Sequence, residues 1–441
     1  MKRMLAIALL ALAGMHQAQA EALPPMDVNE AFKTIMIEGE DLPMALGLPL
    51  ESLSLAAMID GVLEPVPYQI DTYNLGGAPY FEGWEIPPAG TPGQFNPSDK
   101  LLFVFKDAGP QLPADVPVDG QTLAEIRLTD SGGHPRYVYL QHNARLRSDE
   151  QYVRYSAELG RVETDFYALR YRADNHLLWD DIQFPFYVGE QPLDAMKLNV
   201  NAGVANPLIR MNFDNDNMVA KPVGAIIGPI RTTTQADFVV HFTGVPLIRL
   251  SLQIHHYPRA VIYDVRGVMP RFLRTVAYDP TVSMVLDFND LRGAEIHTAA
   301  DPANVAKVDG QISPEEAQLQ QLPLSPAENR TWIRVHSKRN LDTLSFLDYV
   351  APFNEPLSLT LQDDATRQGA GERFAGHLPA LGYQVDRLPR GGSMGMIASI
   401  YFSESFAGDP QQVADDLRTQ PEIQIRAGLG LIGSDALSSR N

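Results

Sequence analysis

Leu247-Ile248-Arg249-Leu250-Ser251-Leu252-Gln253-Ile254 decides the fold class of this chain. Successive side chains of a strand point to opposite sides. Leu250, Leu252 and Ile254 therefore share one face, and Arg249, Ser251 and Gln253 share the other. One oily face and one wet face is the pattern of an antiparallel sheet. The same period recurs on both sides of this stretch. Val282, Met284, Leu286 and Phe288 line up, and Leu357, Leu359 and Leu361 alternate with Ser358, Thr360 and Gln362. Thr122 to Leu128 and Tyr137 to Gln141 follow the style, and Leu101 to Lys106 is a compact apolar strand. Asn74-Leu75-Gly76-Gly77, Asp130-Ser131-Gly132-Gly133, Asp309-Gly310 and Arg390-Gly391-Gly392 supply the turn residues between strands. The expected fold is mainly β: antiparallel β-sandwich layers with a few short helices, one of them near the C-terminus. Regular βαβ alternation is absent, which argues against a parallel α/β sheet.

Helix starts are few and well marked. Ser313-Pro314-Glu315-Glu316 has the cap, the proline and the glutamate of a capping box, and predicts a helix through Leu319 and Leu322. Asp409-Pro410-Gln411-Gln412 opens another, carrying Val413 and Leu417 and ending before Pro421. A third is expected over Asp27 to Met36. Gly83 to Pro97, rich in proline and glycine, reads as a long loop.

Lys2 and Arg3 lead into an apolar run from Leu5 to Gly14, followed by Ala18-Gln19-Ala20. A charged head, a short apolar core and a small-x-small site make a secretory signal peptide. The expectation is Sec-type export, cleavage after Ala20, and a periplasmic or secreted protein. Glu21, not cysteine, follows the cut, and Lys2-Arg3 is not a twin-arginine pair. The expected organisation is a signal peptide at 1–20, an N-terminal β-sandwich at 21–150 and a larger antiparallel β domain at 151–427. Helices near 313–322 and 409–420 interrupt that domain, and 428–441 is expected to be a flexible tail.

The chain of 441 residues has no cysteine. That excludes zinc–thiolate sites, iron–sulfur clusters, thiol nucleophiles and covalent c-type haem, and leaves packing to hold the fold. The net charge of −19 sets up a field that repels nucleic acid and anionic lipid headgroups. Beyond the leader no apolar run reaches the roughly 18 residues a membrane helix needs. The 34 prolines, uneven strand spacing and acidic helical tail argue against an outer-membrane barrel.

Several motifs match a pattern without its context. Gly428-Leu429-Gly430-Leu431-Ile432-Gly433 fits a dinucleotide fingerprint, but no room for the following helix remains. Gly391-Gly392-Ser393-Met394-Gly395 fits a nucleophile elbow, which needs a helix after it and a later histidine. Here Met396 to Phe402 reads as a strand and the last histidine is His377, so a glycine-rich turn is the reading, with a catalytic Ser393 on another fold as the alternative. Asn212-Phe213-Asp214-Asn215-Asp216-Asn217 places Asp214 and Asp216 two apart, a spacing that can wrap Ca2+. The glycine and terminal glutamate of an EF-hand loop are missing, and a polar turn is the alternative. Asp287 and Asp290 could pair as carboxylates or close a strand through an Asx-turn.

The richest cluster is Ile254-His255-His256-Tyr257-Pro258-Arg259, with Tyr263-Asp264-Val265-Arg266-Gly267 on the next run. In polysaccharide lyases a Tyr or His takes a proton beside a carboxylate while a cation neutralises the charge that forms. The same residues could line a sugar-binding groove, Tyr stacking on a ring and Arg meeting hydroxyls. The structural alternative is ion pairing among Arg259, Asp264 and Arg266. His255 and His256 point to opposite faces and cannot both serve one site.

Val66-Pro67-Tyr68-Gln69-Ile70-Asp71 and Asn96-Pro97-Ser98-Asp99-Lys100-Leu101-Leu102-Phe103-Val104-Phe105-Lys106-Asp107-Ala108-Gly109 resemble a pattern in exported bacterial β-sandwich proteins of uncharacterised function. In that pattern a "fQID" strand precedes an acidic loop and an "ELVFmakDaG" strand. Most of the loop acids are absent here, and Asp99 and Asp71 are what remains of them. The resemblance covers about the first quarter of the expected mature chain. It implies an exported β-rich protein and no activity.

The leading expectation is a non-catalytic envelope protein that binds carbohydrate or another envelope protein through the face from His255 to Arg266. The competing expectation is a polysaccharide lyase or glycoside hydrolase using His256, Tyr257 and Arg259, with Asp264 and Arg266 nearby. An enzyme requires a cleft where a Tyr or His, an Arg and a carboxylate converge within hydrogen-bond reach.

Overall fold

A computed structural model describes residues 23–428 except 84–85, 115, 205, 364–378 and 389–391. The expected leader, Gly391 and all of the expected tail but Gly428 lie outside the described residues. The chain is mainly β, with antiparallel sheets and short helices, as the alternating pattern requires. Among the described residues no helix is long and apolar enough to cross a membrane.

The N-terminal part is a sandwich of a three-stranded and a five-stranded sheet. Thr34–Glu38, Lys100–Val104 and Tyr68–Asp71 form the small sheet, with Ile35 opposite Phe103 and Ile70 opposite Leu101. The larger sheet contains Gln121–Thr129, Pro135–His142, Leu53–Ile59 and Val62–Pro65. Its remaining strand is Glu422–Ala427, which returns from the far end of the sequence to pair with Gln121–Thr129. Ile35, Leu55, Phe103, Ile126 and Leu140 fill the space between the two sheets, and Ile423 and Ile425 pack against them. Asp130-Ser131-Gly132-Gly133 makes the expected turn. Gly133 takes φ +81°, and the Asp130 carboxylate accepts the His134 N–H.

The rest of the chain builds a second sandwich from a six-stranded and a nine-stranded sheet. Val245–Tyr257 sits between Thr232–Phe242 and Ala260–Met269 in the large sheet. Leu252 lies opposite Val265 and Ile254 opposite Tyr263, so this row faces inward. Leu193–Val204, Ala277–Phe288 and Ala380–Val385 run through the facing sheet, and the Ser345 and Tyr383 hydroxyls meet across the gap at 3.2 Å. A four-stranded sheet spanning 154–183 brings Tyr167, Tyr171 and Trp179 to the side of this core. One end of the sandwich gathers the paired strand ends at Val204 and Asn206, the Thr243-Gly244 hairpin and the crossover from Met269 to Ala277.

Both capping signals hold. The Ser313 hydroxyl accepts the Glu316 N–H, the Glu316 carboxylate accepts the Ser313 N–H, and the helix runs Pro314–Leu319. Asp409 caps Pro410–Arg418, which buries Val413, Ala414 and Leu417. The helix expected over Asp27 to Met36 is only Val28–Ala31. Thr34–Glu38 is extended instead, because Ile35 and Ile37 alternate with exposed residues and are buried in the sandwich core. Ser393 lies within the strand Gly392–Ser403, opposite Val268, without the strand–turn–helix of an elbow.

Candidate functional site

The strands distribute the sequence candidates over both faces. His256 points inward. Its Nδ1 is 3.3 Å from the Tyr167 hydroxyl and its Nε2 is 3.4 Å from that of Tyr171, and burial pushes its pKa down to about 3. His255 faces the other way and meets the Thr233 hydroxyl at 2.9 Å. Burial first, and then the Arg231 charge, hold His255 well below the usual imidazole range. Asp264 and Arg266 share this outer face but pair with each other through two 2.8 Å bonds, within one strand rather than across strands. Among the described residues Arg259 meets no carboxylate. Its guanidinium donates to the Val28 carbonyl at 2.8 Å and the Asn29 carbonyl at 3.2 Å, lies over Phe166 and Phe406, and ties the N-terminal helix to the large sheet. Burial brings its pKa down to about 10.

Tyr257 and Arg259 both border a groove of about 110 Å³ beneath Thr34, Met36 and Leu417. Two residues the sequence reading missed also meet Tyr257. Arg231 donates to the Tyr257 hydroxyl at 2.9 Å and pairs with Asp71 of the N-terminal sandwich. Gln69, two residues before Asp71, accepts the Arg231 N–H at 2.9 Å. A phenol, a guanidinium and a carboxylate thus converge, but Arg231 and Asp71 are buried and joined across the domain contact. Nothing in the sequence links these positions except the "QID" resemblance at Asp71. Asp99 caps its own loop, accepting two bonds from Asn96.

The Asn212–Asn217 run is a corner between the two large sheets. Asn215 is buried and clamps the neighbouring strand, accepting the Leu198 N–H and donating to the Met196 carbonyl. Asp214 accepts the Asp216 N–H in an Asx-turn. Asp214 Oδ1 and Asn217 Oδ1 therefore serve the turn, and no group of three or more His, Asp or Glu suited to a metal occurs among the described residues. Asp287 pairs with Lys197 on the adjacent strand at 2.6 Å, while Asp290 occupies a left-handed turn position at φ +49°.

A second concave feature lies elsewhere. Between the two large sheets is a cavity of about 360 Å³, open toward the end that carries the Thr243-Gly244 hairpin. Val200, Ala202 and Met284 form one wall, and Leu250, Leu252 and Val265 the other. Among the described residues the lining contains no charged, amide or aliphatic hydroxyl side chain. Its two phenols are already engaged. Tyr263 accepts from Trp179 Nε1 at 2.9 Å and meets Tyr171, and Tyr383 meets Ser345. Seven of the chain's 14 methionines, among them Met196, Met269 and Met396, contribute to the walls. Methionine is unbranched and polarisable, and adapts to ligands of varied shape.

No family model and no curated protein matches this chain. Among solved structures it is similar to an alpha-mannosidase from Enterococcus faecalis V583, at 10% identity and a TM-score of 0.41 over 89% of this chain. It spans 44% of that protein's length. A second likeness, to HI1317, has 8% identity and a TM-score of 0.27 over 58% of this chain and 98% of that one. Likenesses this distant leave function to the residues themselves.

Proposed function

We propose that this chain is an exported binding protein whose ligand is apolar and lodges between the two large sheets. The carrying observation is a cavity of about 360 Å³, within the size range of small-molecule sites, whose lining offers no free polar group. A sugar would leave its hydroxyls unpaired there at a cost of about 1–3 kcal/mol each, whereas hydrocarbon gains about 25 cal/mol per Å² removed from water. Export rests on the leader at 1–20. The test is titration of the mature protein with an apolar fluorescent probe such as N-phenyl-1-naphthylamine, followed by displacement with long-chain fatty acids. Saturable, displaceable binding that drops at least tenfold in an Ala202→Phe, Val265→Phe variant supports the reading. Absence of saturable binding, or binding unchanged in the filled variant, overturns it.

The second reading, a carbohydrate-active enzyme, draws on the meeting of Tyr257, Arg231 and Asp71. Against it, burial raises the Tyr257 pKa despite the Arg231 charge, and Asp71 already holds Arg231. Incubation with a polysaccharide panel decides: new reducing ends, or unsaturated-uronate absorbance, lost in Tyr257→Phe would favour it.

A further inference from the structure

We propose that the open end of the large sandwich docks on an anionic lipid surface. This goes beyond the apolar-ligand reading and can fail without it. Three stretches build that end: Asn206 to Phe213, Phe238 to Leu250 and Val265 to Tyr278. Together they contain five arginines, Arg210, Arg249, Arg266, Arg271 and Arg274, in a chain with 54 acids against 35 bases; Arg266 is paired with Asp264, and Asp279 borders the third stretch. Arg249 and Arg271 are exposed. The same end carries bare apolar side chains. Leu208 is 88% exposed, Val268 64% and Val245 58%, and Phe242 and Phe272 are the two exposed phenylalanines among the described residues.

Phe242 and Phe272 also line the cavity, so the apolar surface runs unbroken from the outside to the interior. Apolar side chains set where arginines outnumber acids match an interface of acyl chains beneath anionic headgroups. The overall negative charge does not oppose this. Screening at physiological salt confines each charge to about 8 Å, so the local arginines govern the contact. The geometry gives hydrocarbon a path from bilayer to cavity that never crosses water.

Flotation of the mature protein with vesicles tests the docking. Vesicles of phosphatidylcholine with phosphatidylglycerol are compared with phosphatidylcholine alone. The wild type should float with the anionic vesicles, and at least fivefold less with the neutral ones or in 1 M salt. A Leu208→Ser, Val245→Ser, Val268→Ser variant changes exposed residues that do not line the cavity. It should lose flotation at least tenfold and keep its affinity for the apolar probe. Arg249→Glu, Arg271→Glu should abolish the preference for anionic vesicles. The docking is overturned if the wild type stays with the soluble fraction, or if the serine variant floats equally well. It is also overturned if sedimentation shows a dimer that the serine variant dissolves, since the end would then meet a second copy. Probe binding that persists in any of these cases leaves the cavity reading intact. Vesicle binding without probe binding would remove the cavity reading alone.

Discussion

Between Tyr167 and Tyr171, His256 is held neutral by burial, with a pKa near 3. In the unfolded chain its imidazole titrates near 6.5. Between those values the unfolded state takes up a proton that the folded state refuses. Stability is therefore whole above about 6.5 and declines as pH falls toward 3, by about 2 kcal/mol at pH 5. Asp107 works in the opposite direction, because burial lifts it to about 6. Comparing proteins that differ only at position 256 isolates the histidine. Urea unfolding at pH 7.5 and pH 5 should show a drop about 2 kcal/mol larger for the wild type than for His256→Gln, and equal drops would refute the assignment. The Arg231–Asp71 pair is buried, so removing one partner strands the other charge. Asp71→Asn is expected to cost about 3–5 kcal/mol, and adding Arg231→Met should recover part of that loss. A double-mutant cycle in urea checks this, and additive losses would sink it. The sequence marked the Ile254–Gly267 stretch as rich in polar residues. It could not show that His256 faces tyrosines or that Arg231 meets an aspartate far away, because such partners are set by packing rather than by spacing.

Local elements were the most legible part. The inward rows at Leu250, Leu252 and Ile254 and at Leu357, Leu359 and Leu361 follow the alternation directly. The cap at Asp409 accepts two backbone N–H groups at the start of Pro410–Arg418. Asp409→Ala should cost about 1 kcal/mol, read as a lower urea midpoint, and an unchanged midpoint would mean the cap contributes nothing. The Thr243-Gly244 hairpin puts a β-branched residue at φ +46°. Asparagine tolerates that conformation better, so Thr243→Asn should raise the melting temperature slightly, and a fall would show that the threonine has a compensating contact. The element that misled was Asp27 to Met36. Its start carries a real helix cap, but Ile35 and Ile37 gain more by pairing in a sheet than a longer helix could supply.

For the molecule as a whole, filling the hollow between the large sheets tests the proposed binding role. Ala202→Phe with Val265→Phe should raise thermal stability, by about 0.5–2 kcal/mol, while probe affinity falls. A fall in both would mean that the walls were already in contact. The sandwich class was readable in the sequence because period two is local. The hollow was not, because the gap between two sheets depends on side chains far apart in the chain. Pairing of Glu422–Ala427 with Gln121–Thr129 was likewise invisible. That pairing orders assembly in time. The N-terminal sandwich is completed by a strand far downstream, so a growing chain carries an unguarded edge at Gln121–Thr129 until Glu422–Ala427 has been made. A holdase that shields such an edge would find its target in the growing chain and lose it once Glu422–Ala427 pairs.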